Sequence, residues 1–259
     1  MTTRLHVDHA TIGYGDRTVI QDLDLTVPDG SFTVIIGPNA CGKSTLLRSM
    51  ARLLRPSTGT VTLDGADLSS LSSRSIARSL GLLPQSAIAP DGIRVGDLVA
   101  RGRFPHRGFL TRNTPHDLRV IAQALEATGT SDLADRLVDE LSGGQRQRVW
   151  IAMVLAQETP LLLLDEPTTY LDIAHQISVL NLCADLHRQG RTVVAVLHDL
   201  NHACRYATHI VAMKDGRIVA RGAPADIIDA ALVQEVFDLP AIVIDDPVTG
   251  TPLVLPAAS

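Results

Sequence analysis

The run Gly37-Pro38-Asn39-Ala40-Cys41-Gly42-Lys43-Ser44-Thr45 constrains this chain more than any other stretch. It fits Gly-x4-Gly-Lys-Ser/Thr, a phosphate-binding loop that needs a strand before it and a helix after it. Residues 31–36 are apolar and β-branched, which predicts a buried strand. Residues 46–53 are rich in helix formers. Glycines in such a loop let backbone N–H groups approach phosphate oxygens, and the helix N-terminus adds a positive dipole end. Lys43 is then placed for the β- and γ-phosphates, and Ser44 for Mg²⁺. A glycine-rich turn with a surface lysine would carry the same letters, but the flanking strand and helix weigh against it.

The 259 residues suffice for one large α/β domain or two small ones, and 45% apolar content permits a sizeable core. A net charge of −5 argues against a broad nucleic-acid surface. Three cysteines, Cys41, Cys183 and Cys204, form no paired framework and fit a reducing compartment. The first residues lack the apolar core of a signal peptide. No run approaches a membrane span; the apolar runs at 161–164 and 193–197 are strand-sized. Any action at a membrane therefore requires another chain to cross it.

Residues 5–27 alternate loosely around a turn at 13–16 and predict antiparallel strands. Strands are also predicted at 60–63, 79–84, 161–165, 192–197, 210–213 and 217–220. Helices are predicted at 116–128, 145–157, from Ile173 to about Ala184 with Asp172 as cap, and at 225–237. Residues 86–115 are rich in Gly and Pro among short helical pieces and read as part of a helical insert, with Arg103 and His106 expected on its exposed surface. A last small hairpin is expected from strands at 241–244 and 253–255, leaving no room for a large regulatory domain.

Residues 161–164 are four leucines followed by Asp165 and Glu166. Open α/β sheets bind ligands at the carboxyl ends of their strands. Asp165 is thus placed for a shared Mg²⁺, and Glu166 for polarising an attacking water. Leu141-Ser142-Gly143-Gly144-Gln145 has two readings. Ser142 with Gln145 three residues on is a capping box. The two glycines also let backbone N–H groups reach an anion at a positive helix end.

Leu141–Gln145 resembles the LSGGQ signature of ABC proteins. The phosphate loop, Gln85, the signature, residues 164–167, Leu171-Asp172 and His198 come in the order and spacing of an ABC-transporter ATPase subunit. The resemblance covers nearly the whole chain. It implies an α/β P-loop NTPase of ABC type: a RecA-like core, an N-terminal antiparallel β-subdomain and a helical insert. It implies one domain over 1–259, with core and β-subdomain at 1–85 and 159–240, a helical subdomain near 86–158 and a C-terminal hairpin at 241–259. ATP and Mg²⁺ are the implied cofactors. Tyr14 would stack on adenine. Gln85 would contact Mg²⁺ and the attacking water while reporting to a membrane subunit, and His198 would contact the γ-phosphate. A head-to-tail homodimer would sandwich each ATP between the phosphate loop of one copy and Ser142, Gly143, Gly144 and Gln145 of the other.

Residues 37–43, 102–106, 168–176 and 197–207 resemble ATPase subunits of iron–siderophore importers. The implied partners are a polytopic permease and, indirectly, an extracytoplasmic binding protein, with no nucleic acid; the implied location is peripheral, on the cytoplasmic face of the membrane. Haem and vitamin B12 importers share this texture, and an iron–sulfur-assembly ATPase and an exporter ATPase are rival classes. His198, His202 and Cys204 have an alternative reading as metal ligands. Cys41 reads either as an inert small residue or as a thiolate-prone one near a helix N-terminus.

Overall fold

Alternation of apolar and polar residues builds the first sheet. In β1 (Thr3–Tyr14) and β2 (Arg17–Pro28), Leu5, Val7, Leu25 and Val27 are buried while Asp8 and Asp24 face out. Then follow β3 (Phe32–Ile36), α1 (Lys43–Met50), β4 (Thr58–Leu63) and β5 (Ala66–Asp67). Asp64 and Gly65, with φ of 50° and 80°, turn β4 into β5 with the chemistry of a primed turn. The middle of the chain supplies α2 (Ser73–Ser79), β6 (Leu80–Leu83), α3 (Val95–Ala100), α4 (Pro115–Ala127), α5 (Gly143–Ala156), β7 (Leu161–Asp165) and α6 (Ile173–Arg188). Last come β8 (Thr192–Val196), α7 (Leu200–Tyr206), β9 (His209–Lys214), β10 (Arg217–Gly222), α8 (Pro224–Ile227), α9 (Ala230–Phe237), β11 (Ala241–Asp245) and β12 (Pro252–Pro256). This computed structural model describes residues 3–107 and 113–257. Residues 108–112 of the expected insert, and 258–259 of the expected C-terminal hairpin, lie outside the described residues.

The chain divides into two compact units, Met1–Leu71 with Thr192–Ser259, and Ser72–Arg191. In the first, β1 pairs antiparallel with β2 and β4, and β5 joins β4. A second sheet has β3 flanked in parallel by β8 and β9, with β10 antiparallel on β9. Every residue of β3 and β8 is buried, as parallel strands covered on both faces require. In the second unit β6 and β7 pair in parallel, and α3, α4 and α5 pack on one another.

Several elements differ from the sequence reading. Residues 73–79 form a helix, capped by the Ser72 side chain accepting from the Ser75 N–H, so the predicted strand begins at Leu80 instead of Ser79. The helix expected over 225–237 is two: Asp229 ends the run and caps α9 by accepting from the Leu232 N–H at 2.7 Å. Helix α5 begins at Gly143, two residues before the expected start.

Arg103 is not on the surface; it is 2% exposed. Its Nε donates to Asp117 Oδ1 at 2.7 Å, and its Nη1 donates to Glu158 Oε2 at 2.7 Å and to the Ala156 carbonyl at 2.8 Å. Asp117 also accepts from the Thr114 N–H and hydroxyl, closing the capping box of α4. The guanidinium thus ties the segment after α3 to the start of α4 and the end of α5. Its neighbours Phe104, 57% exposed, and His106 do face outward.

Breaking a buried ion pair strands the remaining charge. Arg103→Ala should cost about 3–5 kcal/mol of stability, read from urea unfolding followed by Trp150 fluorescence. Burial alone would raise the Asp117 pKa, but the hydrogen bonds from Arg103 and Thr114, with the guanidinium charge, hold it well below the carboxylate range. A depressed folded-state pKa stabilises above the unfolded value and is lost as pH falls through the folded one. Wild-type stability should therefore drop below about pH 4, and Asp117→Asn should be less stable at neutral pH with a flatter acid limb.

Candidate functional site

The phosphate loop leaves the carboxyl end of β3 and enters α1. Gly37 has φ 151°, and a Cβ there would lie 2.2 Å from the Met213 carbonyl oxygen, so no other residue fits. Gly42 has φ 106° and sits at the N-cap of α1, where no side chain caps the helix. The N-cap residue thus brings no side chain to compete for the first N–H groups of α1. Lys43 is 5% exposed and folds back over the loop, its Nζ donating to the carbonyls of Gly37 and Pro38, both at 2.8 Å. Both acceptors are neutral, so the loop holds a buried cation, a glycine-lined cradle and an uncapped helix end together. These features fit a polyphosphate anion.

The rest of the first unit's candidates gather around this loop. Pro38, Asn39 and Ala40 form its crest, with Ala40 at φ 62°, while Ser44 is half-buried and Thr45 buried on the first turn of α1. Tyr14 ends β1, is 45% exposed, and its hydroxyl accepts from Arg48 of α1 at 3.2 Å. His198 is exposed two residues beyond β8. Since Ile35 pairs with Val196 in parallel register, His198 stands level with Gly37. The metal-ligand reading of His198, His202 and Cys204 fails on this geometry. His198 precedes α7, Asp199 caps that helix by accepting from the His202 N–H, and Cys204 is 1% exposed.

The second unit brings its own candidates to one sheet end. β6 and β7 pair with Leu83 opposite Leu164, so Gln85 and Glu166 fall level just past the carboxyl ends of neighbouring strands. Gln85 is exposed; Asp165 is 1% and Glu166 9% exposed. Glu166 sits at φ 55°, a left-handed conformation that is strained for a non-glycine residue. Its carboxylate accepts from the Thr169 hydroxyl at 3.1 Å, and its carbonyl from the Thr169 N–H. Sequence reasoning missed Thr169, although a hydroxyl three residues after an acid is a local signal. It also missed Gln147, whose Nε2 donates to the Pro167 carbonyl and ties α5 to the turn after Glu166.

At the signature, both halves of the capping box form: Gln145 N–H to Ser142 Oγ at 3.2 Å, and Ser142 N–H to Gln145 Oε1 at 3.1 Å. A Cβ on Gly143 would meet only Tyr170 Cβ at 3.7 Å, an ordinary contact, so the fold does not demand glycine there. Gly144 is tighter, with Leu171 Cδ2 at 3.3 Å. Gly143 therefore keeps backbone open to whatever approaches from outside.

Burial favours the inert reading of Cys41. The residue is 4% exposed, and burial raises its thiol pKa against the pull of the Lys43 ammonium. Burial likewise pushes Cys183 up to about 12 and Cys204 up to about 11. In the native protein at pH 8 all three should react with Ellman's reagent at least about tenfold more slowly than in denaturant.

Residues 20–169 match the family described as ABC transporter. The chain is 55% identical over 254 residues to the ferric enterobactin transport ATP-binding protein FepC of Escherichia coli (strain K12), covering 98% of this chain and 94% of that one. It is 46% identical to the iron(3+)-hydroxamate import ATP-binding protein FhuC of Bacillus subtilis (strain 168), over 97% and 94% of the two chains. Among solved structures, the ATP-binding cassette MJ0796, a post-hydrolysis dimer bound to ADP and Pi, superposes with a TM-score of 0.76 at 27% identity, over 85% of this chain and 98% of that one. With a phosphate loop, a strand-end Asp-Glu and an LSGGQ helix start all carried on this P-loop ABC fold, the chain belongs to the ABC transporter family, as one of its ATP-hydrolysing subunits.

Proposed function

We propose that this ATPase energises the import of a ferric siderophore through a partner membrane permease. The observation that carries the reading is the 55% identity, over 98% of the chain, to a ferric enterobactin transport subunit. The hydroxamate-import relative supports the wider class, an iron(III) chelate. Among the described residues no helix is long and apolar enough to cross a membrane. In this reading the permease supplies the path, and this chain attaches at its cytoplasmic face. A binding protein outside the membrane delivers the chelate, and nucleic acid has no part.

The chain works as a single cassette over 1–259. The N–H groups of residues 37 and 39–45 and the Lys43 ammonium hold the β- and γ-phosphates, with Pro38 part of the loop that shapes this site, and the ammonium exchanges the Gly37 and Pro38 carbonyls for anionic oxygens. Tyr14 stacks on adenine, a contact worth about 1–3 kcal/mol for base stacking elsewhere. Ser44, Gln85 and Asp165 hold Mg²⁺, which when bound neutralises charge on the phosphates. Glu166 orients and deprotonates the attacking water, held by Thr169. His198 contacts the γ-phosphate. Ser142, Gly143, Gly144 and Gln145 of a second copy close over the same nucleotide, the open backbone at Gly143 admitting its γ-phosphate. Two-sided contact favours the closed homodimer with ATP, and hydrolysis removes that preference. The exposed Phe104 and His106 face the permease.

Glu166→Gln keeps the shape and removes the base. It should retain ATP binding, lower turnover at least about 100-fold and accumulate an ATP-dependent dimer on gel filtration. Lys43→Ala should lose both ATP binding and turnover. Normal turnover in Glu166→Gln would overturn the role of that carboxylate. In cells, deleting the gene should abolish uptake of radiolabelled ferric catecholate or hydroxamate while chelate still binds at the surface, and a plasmid copy should restore it. Undiminished uptake of both, with loss of haem or cobalamin uptake instead, would overturn the cargo and leave the motor.

A further inference from the structure

The C-terminal hairpin treats its two edges differently. Its ladder is bracketed by the bonds Ala257 N–H to Pro240 carbonyl and Asp246 N–H to Thr251 carbonyl, both 2.8 Å. Hydrogen-bonded and non-bonded pairs alternate along an antiparallel ladder. Ile242 and Ile244 therefore bond to β12, while Ala241, Val243 and Asp245 turn their N–H and C=O groups to the outer edge. Val254, opposite Val243, confirms the phase: its N–H donates to Asn201 Oδ1 at 2.7 Å, and its carbonyl accepts from Asn201 Nδ2 at 3.2 Å. One amide side chain thus covers the edge of β12, which also carries Pro252 and Pro256 at its ends. The edge of β11 has no strand beside it among the described residues. Its sequence, Ala-Ile-Val-Ile-Asp, holds no proline, lysine or bulge, the usual devices that blunt an edge.

We propose that β11 pairs antiparallel with β11 of a second copy of this chain, joining two hairpins into one four-stranded sheet. The strand is complementary to itself. A two-fold axis through Val243 sets Val243 against Val243 and Ala241 against Asp245, so every outward N–H and C=O of the strand finds a partner. Ile242 then faces Ile244 of the other copy in the close, non-bonded pairs. Their side chains, 60% and 44% exposed in one copy, gain an apolar neighbour across the seam. Charge selects the register. The two Asp245 carboxylates fall at opposite ends of the seam, whereas an axis through Asp245 would set them face to face. Two five-residue edges bury far less than the roughly 800 Å² per partner of a stable interface. The contact is therefore weak in the isolated chain, and gains strength where two copies are already held together.

Directly opposite residues in a bonded pair have Cα atoms about 5.5 Å apart, a separation that admits a disulfide. Val243→Cys, oxidised without nucleotide, should form a covalent dimer at least about tenfold faster than Val248→Cys, which is exposed at the hairpin tip but off the edge. Cys41, Cys183 and Cys204 are buried and give a low background. Ile242→Cys, which faces Ile244 instead of itself, should cross-link more slowly than Val243→Cys. Adding Ala241→Pro to Val243→Cys removes an outward N–H without touching the β12 ladder and should slow the reaction about tenfold or more. Equal rates for Val243→Cys and Val248→Cys, or no effect of the proline, would overturn the pairing. A faster Ile242→Cys would overturn the register. None of these outcomes depends on the cargo or on ATP hydrolysis.

Discussion

An ammonium group buried under its own loop is the interaction on which the first unit depends. Lys43 reaches 5% exposure with two backbone carbonyls as acceptors, an arrangement that leaves a full charge in place of a neutralised pair. Neutral acceptors offset only part of the desolvation, so the site keeps an appetite for anionic oxygen. The surroundings hold the loop in this state. The Met213 carbonyl, on β9, fixes Gly37 from one side, and the Gly216 N–H donates to the Cys41 carbonyl at 3.0 Å from the turn that follows. Both come from the far end of the sequence. The parallel pairing of β3 with β8 and β9 is thus what shapes a loop that local letters only announce.

The second unit spends its charged residues differently. Arg103, Asp117 and Glu158 form a closed network whose hydrogen bonds are satisfied, and it joins three helical segments instead of touching a ligand. Glu166, by contrast, sits in a strained left-handed conformation, and its carboxylate accepts from the Thr169 hydroxyl. Strain of this kind costs about 1–3 kcal/mol and persists where the surrounding structure over-determines it.

Helix starts show how far short-range letters carry. Ser142 with Gln145, Asp172 before α6 and Asp199 before α7 all cap the helices they precede, since a cap is written within three residues of itself. The same locality explains one failure. The letters at 225–237 are helix-compatible throughout, yet Asp229 turns its carboxylate to the Leu232 N–H and starts a new helix. A side chain that competes with the backbone decides the break, and propensity does not count that competition.

The sequence by itself determined the strand–loop–helix of the phosphate site, the signature helix start, the leucine strand ending in Asp165-Glu166 and the α/β class, because each is written in contiguous residues whose spacing is the mechanism. Only the tertiary structure decided that Arg103 and Cys41 are buried, that His198 stands level with Gly37, and that among the described residues the outer edge of β11 has no strand beside it while Asn201 covers that of β12. Arg103 meets Asp117 and Glu158 from 14 and 55 residues away, and Asn201 reaches Val254 from 53. Such meetings are set by which strands pair and which helices pack, and no window of neighbouring residues contains that information.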